Sequence, residues 1–252
     1  RRLNKRKFIF FMEEFSYNEN VASKLLDGFN DYDLKSHQFV FLFNKLMDNK
    51  KNIFKAIEEF KPDGIIIAYS YTKKIEINLN NLKLSKILLN CYSNNFNGLT
   101  ILPDDYNGAK KAVNYLFQNN LKKIPIILSS DTWMKGYKDR LSGWRDAHTE
   151  NNIDYKDSFI VQPKSNLENG GYLEAKKLFK KNKKIDAIFC TSDEIAMGSY
   201  QAIKEVGLKI PNDISVIGFD NSRISELVKP KLTTVQLPYS EMTQKAIKHI
   251  ID

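Results

Sequence analysis

Cysteine and histidine are scarce in this chain of 252 residues: two cysteines, Cys91 and Cys190, and three histidines, His37, His148 and His249. Both cysteines fall at or just after apolar strand patterns, which reads as a pair of buried, reduced thiols rather than a disulfide or a metal site. The histidines are too widely separated for local ligand spacing, so no metal or cofactor is expected. Gly-x-Gly-x-x-Gly, a Walker loop and Gly-x-Ser-x-Gly are all missing, which removes the local signatures of phosphate cradling and of a nucleophile elbow and points away from an enzyme. No apolar run approaches the roughly 18 residues that cross a bilayer. The basic opening leads straight into an apolar strand rather than a secretory core, so a soluble, cytoplasmic protein without a membrane partner is expected.

What the chain does contain is 42% hydrophobic and 27% charged residues, a globular balance at a length that allows one large domain or two lobes. A net charge of +9 invites a nucleic-acid reading. Most lysines, however, lie singly or in pairs among acids and asparagines, as on solvated helix faces. The exception is residues 1–7, where Arg1, Arg2, Lys5, Arg6 and Lys7 read either as the end of a linker from a DNA-binding segment or as an ordinary tail. Nothing else resembles a helix-turn-helix, a zinc finger or an aromatic RNA platform.

The most informative stretch runs from Asp186 to Asp220. Asp186-Ala-Ile-Phe-Cys190 suits a strand buried on both faces, and Thr191-Ser192-Asp193-Glu194 supplies N-cap oxygens and first-turn carboxylates. Ile195, Ala196, Tyr200, Ile203 and Val206 keep helical spacing, and Gly207 is a natural stop. Pro211-Asn212-Asp213 then turns the chain into a second strand, Ile214 to Phe219. Such a crossover is right-handed with parallel strands, so Ser192 and Asp193 end one strand on the edge where Asp220 and Asn221 end the next. Open α/β sheets bind ligands on that edge.

The same order of strand and helix recurs along the chain. Strands are expected at 8–11, 38–43, 63–68 and 86–90 and, in a second series, at 123–128 and 159–162. Helices are expected through Val21 to Phe29 and at 52–60, 108–118, 136–150, 169–180 and 240–251. The count predicts an α/β protein of two doubly wound lobes whose halves are similar.

In these residues the chain resembles the effector-binding core of the LacI/GalR (lactose/galactose repressor) family of bacterial transcription regulators. The resemblance rests on Asp186 to Gly198, Gly207-Leu-Lys-Ile-Pro-Asn-Asp-Ile-Ser-Val-Ile-Gly-Phe-Asp220 and Pro230-Lys-Leu-Thr-Thr-Val235. Supporting pieces are Pro62-Asp-Gly-Ile-Ile66, Asp104-Asp-Tyr-Asn-Gly-Ala109 and Arg140-Leu-Ser-Gly-Trp144. It implies two parallel-sheet lobes of the periplasmic-binding-protein-like (type I) kind, the N-terminal lobe from 8–103 plus 237–252 and the C-terminal lobe from 104–236. It further implies a homodimer that senses a small polar effector, most simply a carbohydrate, in the interlobe cleft. Operator DNA would be bound through a headpiece absent from these residues, and the usual final strand is absent as well. A sugar-binding protein of a transport system is the alternative on the same fold.

By that resemblance the effector-binding arginine falls on Arg140 and the ligand aspartate on Asp220, with Ser192 and Asn90 at two further positions. Ser192 replaces a frequent Asn, and Asn90 stands where many relatives carry Asp. A sugar also needs an aromatic wall, for which Phe15, Tyr17, Tyr69 and Trp133 are candidates. An Arg140–Asp220 bridge would lie across the cleft, and Arg140→Ala should weaken binding with the fold intact. Pro103, Asp104, Val235, Gln236 and Leu237 are the expected hinges.

Overall fold

Continuous apolar runs in this chain become parallel strands covered on both faces, as happens when helices pack on each side of a sheet. In the computed structural model, residues 5–12, 19–30, 37–43, 50–131, 134–164, 168–181 and 184–252 are described. They divide into two units, Arg1–Pro103 with Pro238–Asp252, and Asp104–Leu237. Leu237, expected to begin the return into the first lobe, therefore counts with the second unit.

The first unit holds β1 (Arg6–Met12), α1 (Glu19–Asp27), β2 (His37–Phe43), α2 (Lys50–Phe60), β3 (Gly64–Lys74), β4 (Ser85–Tyr92) and β5 (Leu99–Ile101). Its sheet runs β2-β1-β3-β4-β5 with every pair parallel. The second unit holds α3 (Asp105–Gln118), β6 (Ile126–Ile127), α4 (Lys135–Glu150), β7 (Ile160–Val161), α5 (Glu168–Lys181), β8 (Ala187–Cys190), α6 (Asp193–Glu205), β9 (Ser215–Phe219), α7 (Ile224–Leu227) and β10 (Thr233–Val235). Its order, β10-β9-β8-β6-β7, is the same winding read from the other end. After Pro238 the chain re-enters the first unit as α8 (Tyr239–Ile251).

Each sheet has one switch point, β1 beside β3 and β6 beside β8, where successive crossovers leave in opposite directions and open the strand ends to a ligand. The β8 and β9 registers match as a crossover requires, Ala187 opposite Ser215 and Phe189 opposite Ile217. Cys190 and Thr191 therefore stand beside the end of β9.

Some expected elements change length. The strand expected at Lys123–Leu128 keeps only Ile126–Ile127, because Pro125 has no N–H to give a ladder. β3 instead runs on past Ala68 to Lys74, with a register shift against β4 between Ala68 and Lys73. Short β5 and α7 lie in stretches too brief for periodicity to show.

The cover of the second sheet depends on two helical glycines. A Cβ on Gly198 of α6 would collide with the Glu168 carbonyl oxygen of α5, and one on Gly171 of α5 would collide with that of Ile195. The helices thus meet backbone to backbone. Gly→Ala inside a helix ordinarily gains up to about 1 kcal/mol. Gly198→Ala should instead lower the denaturant midpoint, by about 1–3 kcal/mol of overpacking, because the obstacle is main chain and cannot swing aside. A midpoint unchanged or raised in urea titration would show that the two helices have room to separate.

Candidate functional site

At the ligand edge of the second sheet, the ends of β8 and β9 meet the first turns of α3, α4 and α6. Ser192 is the N-cap of α6, its hydroxyl accepting the Ile195 amide at 3.3 Å, as its place after an apolar strand suggests. Asp104 caps α3 in the same way, accepting from the Asn107 amide at 3.0 Å and from its side-chain amide at 2.7 Å. Those bonds, that from the side chain first, hold the Asp104 carboxyl below the usual range.

Arg140 projects from α4 and is only 6% exposed. Its Nε donates to Asp105 at 2.8 Å, Nη1 to the Thr191 carbonyl at 2.5 Å and Nη2 to Asp220 at 3.1 Å. The guanidinium carbon lies 3.8 Å from the centre of the Phe219 ring and 5.1 Å from that of Tyr137. The guanidinium thus packs against two aromatic rings while its N–H groups bond two carboxylates and a carbonyl, an arrangement that planar Arg can satisfy and Lys cannot. Two carboxylates surround one cation. Burial raises the Asp105 carboxyl, against the pull of Arg140 beside it. Burial likewise pushes the Tyr137 phenol up to about 12, so it stays a neutral donor.

Asp220 follows β9 with a backbone φ of 98°, and Asn221 comes next at 47°. Both values lie where non-glycine residues are uncommon, and consecutive cases mark a turn that its surroundings must hold in place. The Asp220 amide donates to the Val235 carbonyl at 2.8 Å. The Asn221 side chain donates to Gln236 Oε1 at 2.9 Å and accepts from the Ser225 hydroxyl at 3.1 Å.

Of the residues expected from sequence, then, Arg140, Asp220 and Ser192 come together on this edge. The Arg140–Asp220 pair lies wholly within the second unit, which corrects the expectation of a bridge across two lobes: α4 and β9 both belong to residues 104–237. Asp105, Tyr137, Phe219 and Thr191 were missed. Two adjacent aspartates at a helix start carry a signal, since only one can be the N-cap, but nothing local says that the other is buried.

Asn90 and Tyr69 belong to the first unit. Asn90 is fully buried at a φ of 55°, opposite the irregular part of β3. Its Nδ2 donates to the Tyr69 carbonyl at 2.9 Å, and its Oδ1 accepts from the Thr72 hydroxyl at 3.0 Å. Both ends of its amide brace the bulge. Tyr69 is 4% exposed and meets Tyr71 edge-on at 6.3 Å, with the Lys73 ammonium 5.0 Å from its ring. Phe15, Tyr17 and Trp133 lie outside the described residues.

Lys135, which follows Met134, pairs with Asp139 one turn along α4. Among the described residues no group of three His, Cys, Asp or Glu is placed to hold a metal ion. No helix among them is long and apolar enough to cross a membrane.

A sequence model of the family described as "Periplasmic binding protein-like domain" matches residues 113–252. Among curated proteins, the chain is similar to the HTH-type transcriptional regulator RegA of Clostridium saccharobutylicum, 27% identical over 81% of this chain and 62% of that protein. It is also similar to the HTH-type transcriptional regulator MalR of Clostridium butyricum, 28% identical over 93% of this chain and 70% of that one. Among solved structures, a LacI-family transcriptional regulator from Rhizobium etli superposes with a TM-score of 0.83 at 24% identity, covering 98% of this chain and 90% of the other. The chain thus spans about three-fifths of RegA and rather more of MalR.

Proposed function

We propose, from the premise that this chain belongs to the periplasmic-binding-protein-like family of LacI-type regulators, that it is the effector-sensing part of a bacterial transcription regulator. The observation that carries the reading is the Arg140–Asp220 pair held where β8 and β9 end, on the carboxyl edge of the second sheet. A charged fork and a carboxylate fixed side by side offer donor and acceptor groups to neighbouring hydroxyls, as a polyhydroxylated ligand such as a sugar requires. Stacking immobilises the fork beforehand, so little side-chain entropy remains to be lost on binding.

Ser192 and Asn90 are further candidate contacts, the latter through whichever hydrogen-bonding capacity the bulge leaves it. Tyr69 and the undescribed Phe15, Tyr17 and Trp133 are candidate walls. The chain passes between its two units at 103/104 and 237/238, and Pro103, Asp104, Val235, Gln236 and Leu237 are the proposed hinges. Ligand binding would shift the balance between two arrangements and so alter operator binding, with coupling of about 1–3 kcal/mol. Operator contact through a helix-turn-helix segment, a homodimer matched to operator symmetry and a cytoplasmic location complete the proposal. That the relatives are regulators favours this over a transport protein.

A thermal-shift screen over sugars, sugar phosphates and purines should find a compound that raises the melting temperature, since a ligand selective for the folded state stabilises it by mass action. Asp220→Asn should then weaken that compound by roughly tenfold to a hundredfold in calorimetry, the cost of one charged hydrogen bond. An affinity untouched by Asp220→Asn would move the site elsewhere.

A further inference from the structure

Asp193 takes no part in the Arg140 cluster, yet it is the residue on which the turn after β9 closes. It is fully buried at the first position of α6. One carboxylate oxygen accepts the Ser222 amide at 2.6 Å, and the other accepts the Thr234 hydroxyl, also at 2.6 Å. The Thr234 oxygen in turn accepts the Asn221 amide at 3.3 Å. Through two atoms, then, one side chain joins α6, the turn that carries Asp220 and Asn221, and β10. Space is kept for it by Gly218, where any Cβ would run into its carboxylate. A helix cap requires none of this, since Ser192 already caps α6.

We infer that Asp193 is a positioning residue, holding Asp220 in the left-handed conformation from which it faces Arg140. The inference rests on the effector reading for its functional meaning. It makes Asp193 a determinant of affinity that touches no ligand. The turn it holds also reaches β10 and Gln236, next to the return crossover, so the same side chain ties the ligand carboxylate to a proposed hinge.

The geometry also makes its protonation visible. Burial, aided by the charge of Asp220, pushes the Asp193 carboxyl up to about 7, while the Thr234 and Ser222 hydrogen bonds oppose the rise. The groups that act on it electrostatically are Asp220 at the end of β9 and the Cys190 thiol of β8, itself pushed up to about 12 by burial and so neutral in this range.

The test is amide NMR of the chain as it stands, with Asp193→Asn, Asp193→Ala, Thr234→Val and Asp220→Asn. In the unsubstituted protein the Ser222 amide resonance should titrate with a midpoint near 7. Asp193→Asn should abolish that titration but keep the amide protected, because its carbonyl still accepts from Ser222 and its NH2 can donate to Thr234. Asp193→Ala should speed exchange at Ser222 and Asn221 by at least about tenfold. It should also move the Arg140 Nε–H resonance as Asp220 swings from Nη2, with α6 amides beyond the first turn unchanged. Thr234→Val should deprotect Asn221 and raise the midpoint, whereas Asp220→Asn should lower it. Should Asp193→Ala fail to fold, the other three variants decide the matter. Undisturbed Ser222, Asn221 and Arg140 signals would overturn the inference and reduce Asp193 to helix-end packing. None of these signals needs a ligand, so failure here leaves the effector reading standing. Conversely, a screen that finds no ligand leaves a positioned turn without an effector.

Discussion

Arg140→Ala should cost the folded protein about 3–5 kcal/mol, the penalty for leaving buried charge without its partner. This departs from the expectation drawn from sequence, in which the fold was unaffected and only binding suffered. The reason is that Asp105, 2% exposed, and Asp220, 6% exposed, both bond the one buried guanidinium, whose loss also takes a donor from the Thr191 carbonyl. Without that cation, the two buried carboxyls resist ionisation in the folded chain but ionise normally in the unfolded one. The folded state then binds more protons above the usual carboxylate range, and stability falls as pH rises through it. Urea titrations at pH 5 and pH 8 should therefore show the larger loss at pH 8. Asp105→Asn in the same background should recover part of the deficit, and Arg140→Lys should fall between, keeping charge but losing the fork and its packing on Phe219. A variant as stable as its parent at pH 8 would mean that water already reaches the pair.

Trp144→Ala should destabilise by a similar 3–5 kcal/mol, the usual range for removing a buried aromatic from a core. Trp144 has no exposed surface, donates its indole N–H to the Ile124 carbonyl at 2.9 Å, and packs on Tyr155 and His148 at ring separations of 4.5 and 4.2 Å. Trp144→Phe isolates the polar part of the loss, an orphaned carbonyl worth about 1–3 kcal/mol. His148 supplies a second readout. Its Nδ1 bonds the Trp144 carbonyl at 2.8 Å, so the proton sits on that nitrogen, while Nε2 has no hydrogen-bond partner among aromatic rings. Burial holds its pKa below the ordinary 6.5. A depressed histidine leaves stability intact above the unfolded value and drains it as pH falls below. Opening the box with Trp144→Ala should admit water, bring His148 toward its ordinary value and flatten that acid slope. Equal slopes in parent and variant, followed by circular dichroism in denaturant, would remove His148 from the account.

The outcomes differ in kind between the backbone and the site. Helix α6 begins after Ser192 because an N-cap oxygen, first-turn carboxylates and helical apolar spacing all lie within a few residues. Strands β8 and β9 are legible as unbroken apolar runs, and their crossover puts Ser192 and Asp220 on one edge. The resemblance marks Asn90 as a candidate contact, but nothing local announces that its amide also bonds Thr72 and Tyr69 of the neighbouring strand. Pro125, which lacks a ladder donor, marks in the sequence where β6 is cut short.

By itself the sequence determined the alternation of strands and helices, the doubly wound class and the edge on which polar residues gather, since each follows from periodicity, caps and turns within a short span. The tertiary structure alone decided what Arg140 does there. Asp105, Thr191 and Asp220, which it bonds, lie 35, 51 and 80 residues away along the chain. Whether a charge is solvated, paired or stacked depends on what folding brings against it, and that is set by contacts no local pattern contains.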